Sequence, residues 1–316
     1  MNKNLALGID IGGTNSVFGL TDEHGRIYFE ESISTRTCST PEDLVDKIHA
    51  RIKDVGQLKN IVGIGIGAPN GNFFSGTIEF APNLPWKGII PLARLFEFRF
   101  KTEAILTNDA NAAAIGEMIY GNAKDLKDFV TITLGTGLGS GVIVNKSLVY
   151  GHDGFAGEYG HIRVVTDGRL CGCGRKGCLE TYASATGVVR SIDELESEHK
   201  ATSKIMGLKT PGAHDVFRLS QGGDIFCTEI IEYTAKTLGN ALADFACFTS
   251  PKAYILFGGI AQSGQGFADK VKEYMEESLL DIYKDKIEIR ISTLHDKNAA
   301  VLGASSLVWN QLNEHE

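Results

Sequence analysis

No window of this 316-residue chain offers the roughly 18 consecutive apolar residues that a membrane span needs. The first residues, Met1-Asn2-Lys3-Asn4, run straight into an apolar strand, without the charged leader and apolar stretch of an export signal, so a cytoplasmic protein is expected. Basic charge is not in excess: 31 Lys and Arg face 39 Asp and Glu, a net charge of −8. That opposes a general nucleic-acid-binding surface, but not nucleotide binding through local backbone donors. The Gly-Lys-Ser/Thr run of a P-loop is missing as well. An evenly spaced cysteine framework is the last absence. Three of the six cysteines crowd into residues 171–178 and cannot pair off evenly, which argues against secretory disulfides. Cys38, Cys227 and Cys247 are dispersed and read as buried or incidental thiols. With 43% hydrophobic and 22% charged residues, the chain has the composition of an ordinary globular protein, long enough for two domains.

What is present is most concentrated between Glu158 and Glu180. The stretch reads Glu158-Tyr159-Gly160-His161, nine further residues, then Cys171-Gly-Cys173-Gly-Arg-Lys-Gly-Cys178-Leu-Glu180. Glycines let a loop curl until three sulfurs converge, and His161 supplies a nitrogen. Cys171, Cys173, Cys178 and His161 form the closed four-ligand set of structural zinc, with Arg175 and Lys176 placed to offset its negative charge. Glu158 and Glu180 ride on the same braced frame, and carboxylates so held suit the hydroxyls of a sugar.

Glycine turns are the second clue. A strand from Leu5 to Ile9 ends in Asp10-Ile-Gly12-Gly13-Thr14-Asn15, and a second strand (Ser16–Leu20) follows at once, so this Gly pair bends a hairpin. Its N–H groups can cradle phosphate, and Asp10 can position magnesium through water. A helix is expected from Thr40-Pro41 to about Val55, then a buried strand Ile61–Gly67. The Gly-x-Gly-x-x-Ala in that strand is discounted, because Pro69-Asn70 breaks the chain where a dinucleotide fold would start its helix. Residues 69–88 read as loop with short strands. Ala104–Thr107 is a strand ending in Asn108-Asp109 at the mouth of an Ala-rich helix, a common site position in α/β folds; Asp109 also suits a plain helix cap. Phe129–Leu134 opens a second hairpin, bent at Gly135-Thr136-Gly137. Residues 182–223 read as helices with a mobile linker, followed by a long helix to Phe248, a strand at Tyr254–Phe257 leading into Gly258-Gly259, and a last helix from Asn298. Two strand–turn–strand units in one chain suggest a duplicated α/β fold whose halves clamp a nucleotide triphosphate.

In this combination the chain resembles the ROK family of repressors and kinases, within the hexokinase and actin-like ATPase superfamily, from Leu5 to about Leu307. The residues that carry the resemblance are Asp10-x-Gly-Gly-Thr, Asn108-Asp109-Ala-Asn-Ala-Ala-Ala, Glu158-x-Gly-His161 joined to Cys171-x-Cys173-Gly-x-x-Gly-Cys178-x-Glu180, and Gly258-Gly259. The resemblance implies a two-domain ribonuclease H-like fold. Residues 1–110 would form a small domain joined by a returning helix at 298–316, and residues 111–297 a large domain bearing the zinc loop 161–178. It implies an ATP- and Mg²⁺-dependent sugar kinase and a homodimer. Asp109 would be the general base; Asn83, Asn108, Glu158, His161 and Glu180 would hold the other hydroxyls. Gly12, Gly13, Thr14, Asn15, Thr136 and Gly137 would line the phosphates, and Gly258 and Gly259 the adenosine. The zinc would brace the sugar side, with the phosphate turns far from it. One stretch departs from the pattern: many relatives carry Pro-Gly-Pro-Val-Asp where this chain has Pro69-Asn-Gly-Asn-Phe-Phe74. Glucose is the expected hexose, with N-acetylmannosamine, fructose or allose as alternatives. A non-catalytic sugar-binding protein is the reading from another class. A DNA-binding repressor is disfavoured, because Asp10 stands too near the start for a helix-turn-helix to precede it.

Overall fold

The computed structural model describes residues 4–294 and 296–314. The chain divides into two compact units, one of Met1–Asp125, Leu148–Ala156 and Thr293–Glu316, the other of Leu126–Ser147 and Gly157–Ser292. The Ala-rich helix stays with the first unit, so that unit runs on past residue 110, and a short excursion (Leu148–Ala156) that no sequence pattern announces also belongs to it.

In the first unit, strands β1 (Leu5–Ile11), β2 (Asn15–Thr21), β3 (Ile27–Ser34), β4 (Ile61–Ala68) and β8 (Ala104–Asn108) form a sheet of order β3-β2-β1-β4-β8. β1 and β2 are antiparallel, while β1, β4 and β8 run parallel. A small sheet of β5 (Gly71–Asn72), β6 (Thr77–Glu79) and β7 (Ile89–Ile90) occupies the stretch read as loop with short strands. Helix α1 (Pro41–Asp54) starts as its residues dictate: Thr40 accepts from the Asp43 N–H, Pro41 opens the first turn, and Leu44, Val45, Ile48 and Ile52 are buried. Helix α2 (Leu92–Phe100) was not foreseen; its apolar spacing is blurred by Phe98, which is exposed, and it stops at Lys101 in the left-handed conformation.

The period of two along the strands sorts this sheet into two unlike faces. Leu7 and Ile9 of β1 and Ile64 and Ile66 of β4 join a large apolar core that includes Leu44, Ile48, Leu92 and Phe96. The other face carries glycine: Gly8 pairs with Gly19 on one side and Gly65 on the other, a row across three strands. The C-terminal helix (Asp296–Glu314) lies on that row. A Cβ on Gly65 would fall 1.9 Å from the Ala304 carbonyl oxygen, and one on Gly8 2.3 Å from that of Val301. Gly63, against Val308, and Gly65 therefore serve helix packing. Helix α3 (Asp109–Ile119) packs beside the C-terminal helix, with Gly116 against Gly303. The last two positions of the expected returning helix, 315 and 316, lie outside the described residues.

The second unit repeats the topology. Strands β9 (Phe129–Leu134), β10 (Leu138–Val144), β11 (Ser147–Leu148), β12 (Ala253–Phe257) and β13 (Glu288–Ile291) take the order β11-β10-β9-β12-β13. Again the first pair is antiparallel and the crossover strands are parallel. Between β11 and β12 come α4 (Glu180–Ala183), α5 (Ala185–Glu194), α6 (Ala213–Gln221) and the 25-residue α7 (Ile225–Thr249); α8 (Gln265–Ser278) packs along α7. The duplicated α/β fold is that of the actin-like ATPases.

Candidate active site

In the first unit the parallel strands end together. Asp10 of β1 is in register with Gly67 of β4, and Gly67 with Thr107, so Asn108 and Asp109 follow one step beyond. A Cβ on Gly67 would lie 3.5 Å from Asp10 Oδ1 and 3.6 Å from Asp109 Cα. The two carboxylate-bearing residues thus flank Gly67. Asn108 caps α3, its Oδ1 accepting from the Ala110 N–H at 2.8 Å, and Asp109 Oδ1 accepts from the same N–H at 2.8 Å. Asp109, the first residue of the helix, thus shares its N-terminal N–H with the Asn108 cap through Oδ1 alone. It is open to solvent at its surface yet crowded by protein, and burial raises its pKa against the opposing pull of the Ala110 N–H. Burial, then the Asp109 charge, pushes Asp10 up to about 7.

The adjoining hairpin turn is tight: the Gly12 N–H donates to the Asn15 carbonyl at 3.0 Å. Gly13 lies against Asn83, whose carbonyl oxygen would be 2.6 Å from a Cβ at that position. Asp10, Gly12, Gly13, Thr14, Asn15, Asn83, Asn108 and Asp109 thus all belong to the first unit, Thr14, Asn15 and Asn83 being exposed.

The second unit gathers the others. Gly258, at the end of β12 with φ +99°, sits so close to Leu134 that a Cβ would be 2.8 Å from its carbonyl oxygen. That puts Gly258-Gly259 beside the start of the Gly135-Thr136-Gly137 turn. Glu158 precedes a single helical turn, Tyr159–His161, which closes with the His161 N–H on the Glu158 carbonyl at 3.1 Å.

His161, Cys171, Cys173 and Cys178 converge, their ligand atoms all within 4.8 Å of one another. Cys173 and Cys178 sulfurs are 3.7 Å apart, and Cys171 Sγ is 3.6 Å from His161 Nδ1. A tetrahedral ion with bonds of about 2.3 Å needs edges of roughly 3.8 Å, so the donor set fits zinc. Burial pushes the Cys171 thiol up to about 12 and raises Cys178; at Cys173 burial is outweighed by the Arg175 N–H and its thiol neighbours, which lower it. A divalent cation is what would bring all three to the thiolate form. The nitrogen facing the sulfurs is Nδ1, which leaves Nε2 for another partner.

The sequence matches the ROK family over residues 6–311. The chain belongs to the ROK family. It is 36% identical to the glucokinase of Streptomyces coelicolor over 311 residues, 96% of this chain and 97% of that one. It is 34% identical to the glucokinase of Halalkalibacterium halodurans over 326 residues, 100% of this chain and 98% of the other. The crystal structure of a ROK family glucokinase from Streptomyces griseus in complex with glucose and AMPPNP superposes with a TM-score of 0.80 at 34% identity, covering 96% of this chain and 99% of that one.

Two features of the ROK loop escaped sequence reasoning. Arg169, two residues before Cys171, reads as a solvated charge yet is buried. It donates to the Thr181 and Gly187 carbonyls, Ser191 and Glu194, and lies over the Tyr182 ring at 4.5 Å. Arg175 and Lys176, assigned the charge balance, are exposed. The second feature is a correction. The Gly135-Thr136-Gly137 turn is not far from the Cys₃His loop: Glu180, two residues past Cys178, accepts from the Leu138 N–H at 3.0 Å. Sequence spacing of 42 residues hid a contact that the β10–α4 packing creates.

Proposed function

We propose that this protein is an ATP-dependent hexokinase that converts glucose to glucose 6-phosphate. The observation that carries the reading is the 34–36% identity, across nearly the whole chain, to glucokinases whose fold it shares. Asp109 is the general base: its carboxylate stands at the end of three parallel strands, fixed by a helix N-terminus, and takes the proton of the reacting hydroxyl as the new P–O bond forms. Asn83, Asn108, Glu158, His161 and Glu180 hold the remaining hydroxyls. Phosphoryl transfer asks mainly for positioning and charge neutralisation. The turns Gly12–Asn15 and Thr136–Gly137 offer backbone donors for the phosphates, and Gly258-Gly259 leave room for the adenosine. Magnesium bound with ATP would neutralise phosphate charge, with Asp10 as the carboxylate that positions it. Zinc on His161, Cys171, Cys173 and Cys178 would act as a brace, since four protein ligands leave no open position. With Nδ1 on the metal, His161 keeps its proton on Nε2 as a donor for a hydroxyl. We further propose a cytoplasmic homodimer whose partners are small molecules, with no nucleic acid or membrane involved.

The test is a panel of hexoses assayed with ATP and magnesium. Glucose should give the highest kcat/KM and yield glucose 6-phosphate. Preference for N-acetylmannosamine, fructose or allose would overturn the choice of sugar, and failure to phosphorylate any hexose would overturn the kinase reading in favour of a sugar-binding protein.

A further inference from the structure

Glu180 stands where the second unit's two tasks meet, and its contacts reach in both directions. One carboxylate oxygen, Oε2, accepts from the Leu138 N–H at 3.0 Å, and Leu138 is the first residue after the Gly135-Thr136-Gly137 turn. The fit is close enough to dictate a neighbour: a Cβ on Gly137 would come within 2.4 Å of Oε2. The other oxygen, Oε1, lies 3.6 Å from the Cys171 sulfur. Further bonds tie the same turn to the chain just after Glu180. The Ala185 N–H donates to the Gly135 carbonyl at 2.9 Å, and the Thr186 hydroxyl to the Thr136 carbonyl at 2.9 Å. From the far side, Gly160 lies on Leu138, where a Cβ would meet the carbonyl oxygen at 2.0 Å, and Ser140 holds the Gly157 carbonyl and the Tyr159 N–H.

We infer that Glu180 is a positioning residue for the phosphate-binding turn, and that the Cys₃His loop thereby sets the nucleotide site as well as the sugar site. The inference rests on the kinase reading. An ionised carboxylate accepting a backbone N–H makes one of the stronger hydrogen bonds available to a turn. Held at Leu138, the turn presents its remaining N–H groups in one geometry instead of sampling several, and binding of phosphate then costs less ordering. Gly137 has a reason beyond phosphate access: it is the residue type that allows the carboxylate to close on the turn. A glutamate serving hydroxyls alone would have no such contact.

The experiment measures nucleotide binding with no sugar present, so that any role of Glu180 toward hydroxyls is silent. AMPPNP with magnesium is titrated calorimetrically into the parent, Glu180→Ala and Glu180→Gln, all zinc-loaded and checked by circular dichroism. Glu180→Ala should weaken AMPPNP about tenfold, equivalent to about 1.4 kcal/mol. Glu180→Gln keeps an oxygen acceptor for Leu138 and should lose no more than about threefold, the rescue expected of a positioning role. Gly137→Ala should mimic Glu180→Ala, and its cost should shrink in the Glu180→Ala background, because the clash is then gone. Where Glu180→Ala fails to fold, the parent itself decides: the Leu138 amide should be protected from hydrogen exchange well beyond that of Thr136. Equal AMPPNP affinity for parent and Glu180→Ala, or a Leu138 amide exchanging as fast as that of Thr136, overturns this inference alone. A parent that does not bind AMPPNP overturns the kinase reading, and this inference with it.

Discussion

Replacing Arg169 with Met tests how the Cys₃His loop is attached. The side chain is 7% exposed, and its guanidinium reaches the Thr181 carbonyl at 2.6 Å, the Gly187 carbonyl at 3.0 Å, Ser191 Oγ at 2.9 Å and Glu194 Oε2 at 2.5 Å. Methionine keeps much of the stem volume and loses every donor. The four losses are not equal. Glu194 is 46% exposed and keeps Arg190 at 3.4 Å, so it rehydrates at little cost. Gly187 and Ser191 keep each other through a 3.1 Å bond. Thr181 has no other donor to its carbonyl among the described hydrogen bonds, and a buried unpaired carbonyl costs roughly 1–3 kcal/mol. Loss of the guanidinium over Tyr182 adds about 1 kcal/mol. The sum, about 2–4 kcal/mol, falls on local opening of residues 161–183. A two-unit protein need not melt in one step, so the suitable assay is hydrogen exchange of peptides covering that stretch. Their exchange should accelerate by roughly 30- to 700-fold, as about 1.4 kcal/mol corresponds to a factor of ten. Acceleration of less than threefold in a folded variant would refute the ledger and, with it, the view that Arg169 rivets the loop.

The remaining predictions concern packing, metal and protons. Gly65→Ala places a methyl 1.9 Å from the Ala304 carbonyl oxygen and should destabilise by about 3 kcal/mol or more, while Gly266→Ala, with nothing within 4 Å, should be neutral; equal melting temperatures would contradict this. Cys173→Ser should abolish the roughly one zinc per chain expected of the parent and raise the sugar KM, and because Glu180 bonds the phosphate turn it should weaken nucleotide as well; metal loss with both constants unchanged would dissociate zinc from binding. Asp109→Asn should lower kcat by about 10²–10⁴ with sugar affinity kept. With Asp10 held up to about 7 and Asp109 also raised, both carboxyls keep protons to higher pH, so kcat/KM should climb toward neutrality; an acid limb at about 4 would count against the raised base. In ligand-free protein the sign for stability is opposite. These raised acids favour folding below about pH 4, and Asp10's share is lost as pH rises through about 7.

The two hairpins, the site strand ending in Asn108-Asp109 and the Cys₃His cluster were legible because each rests on short-range chemistry: period-two apolar runs, glycine bends, a cap, and ligands within eighteen positions of each other. What stayed hidden was long-range. The glycines of β4 resemble a nucleotide fingerprint until the C-terminal helix, some 240 positions later, is seen to lie on them. Arg169 is indistinguishable from a surface cation until α4 and α5 surround it. Glu180 shows no partner until β10 folds against α4.

The place of the C-terminal helix also has a consequence for synthesis. Everything in the second unit precedes residue 293, so during translation that unit can close while the first still lacks the element that covers its glycine face. Until the ribosome has delivered Val301 and Ala304, the row Gly19-Gly8-Gly65 is bare backbone, although its strands were made some 240 residues earlier or more. Through that interval the first unit stays unfinished, and a chaperone has most to offer there.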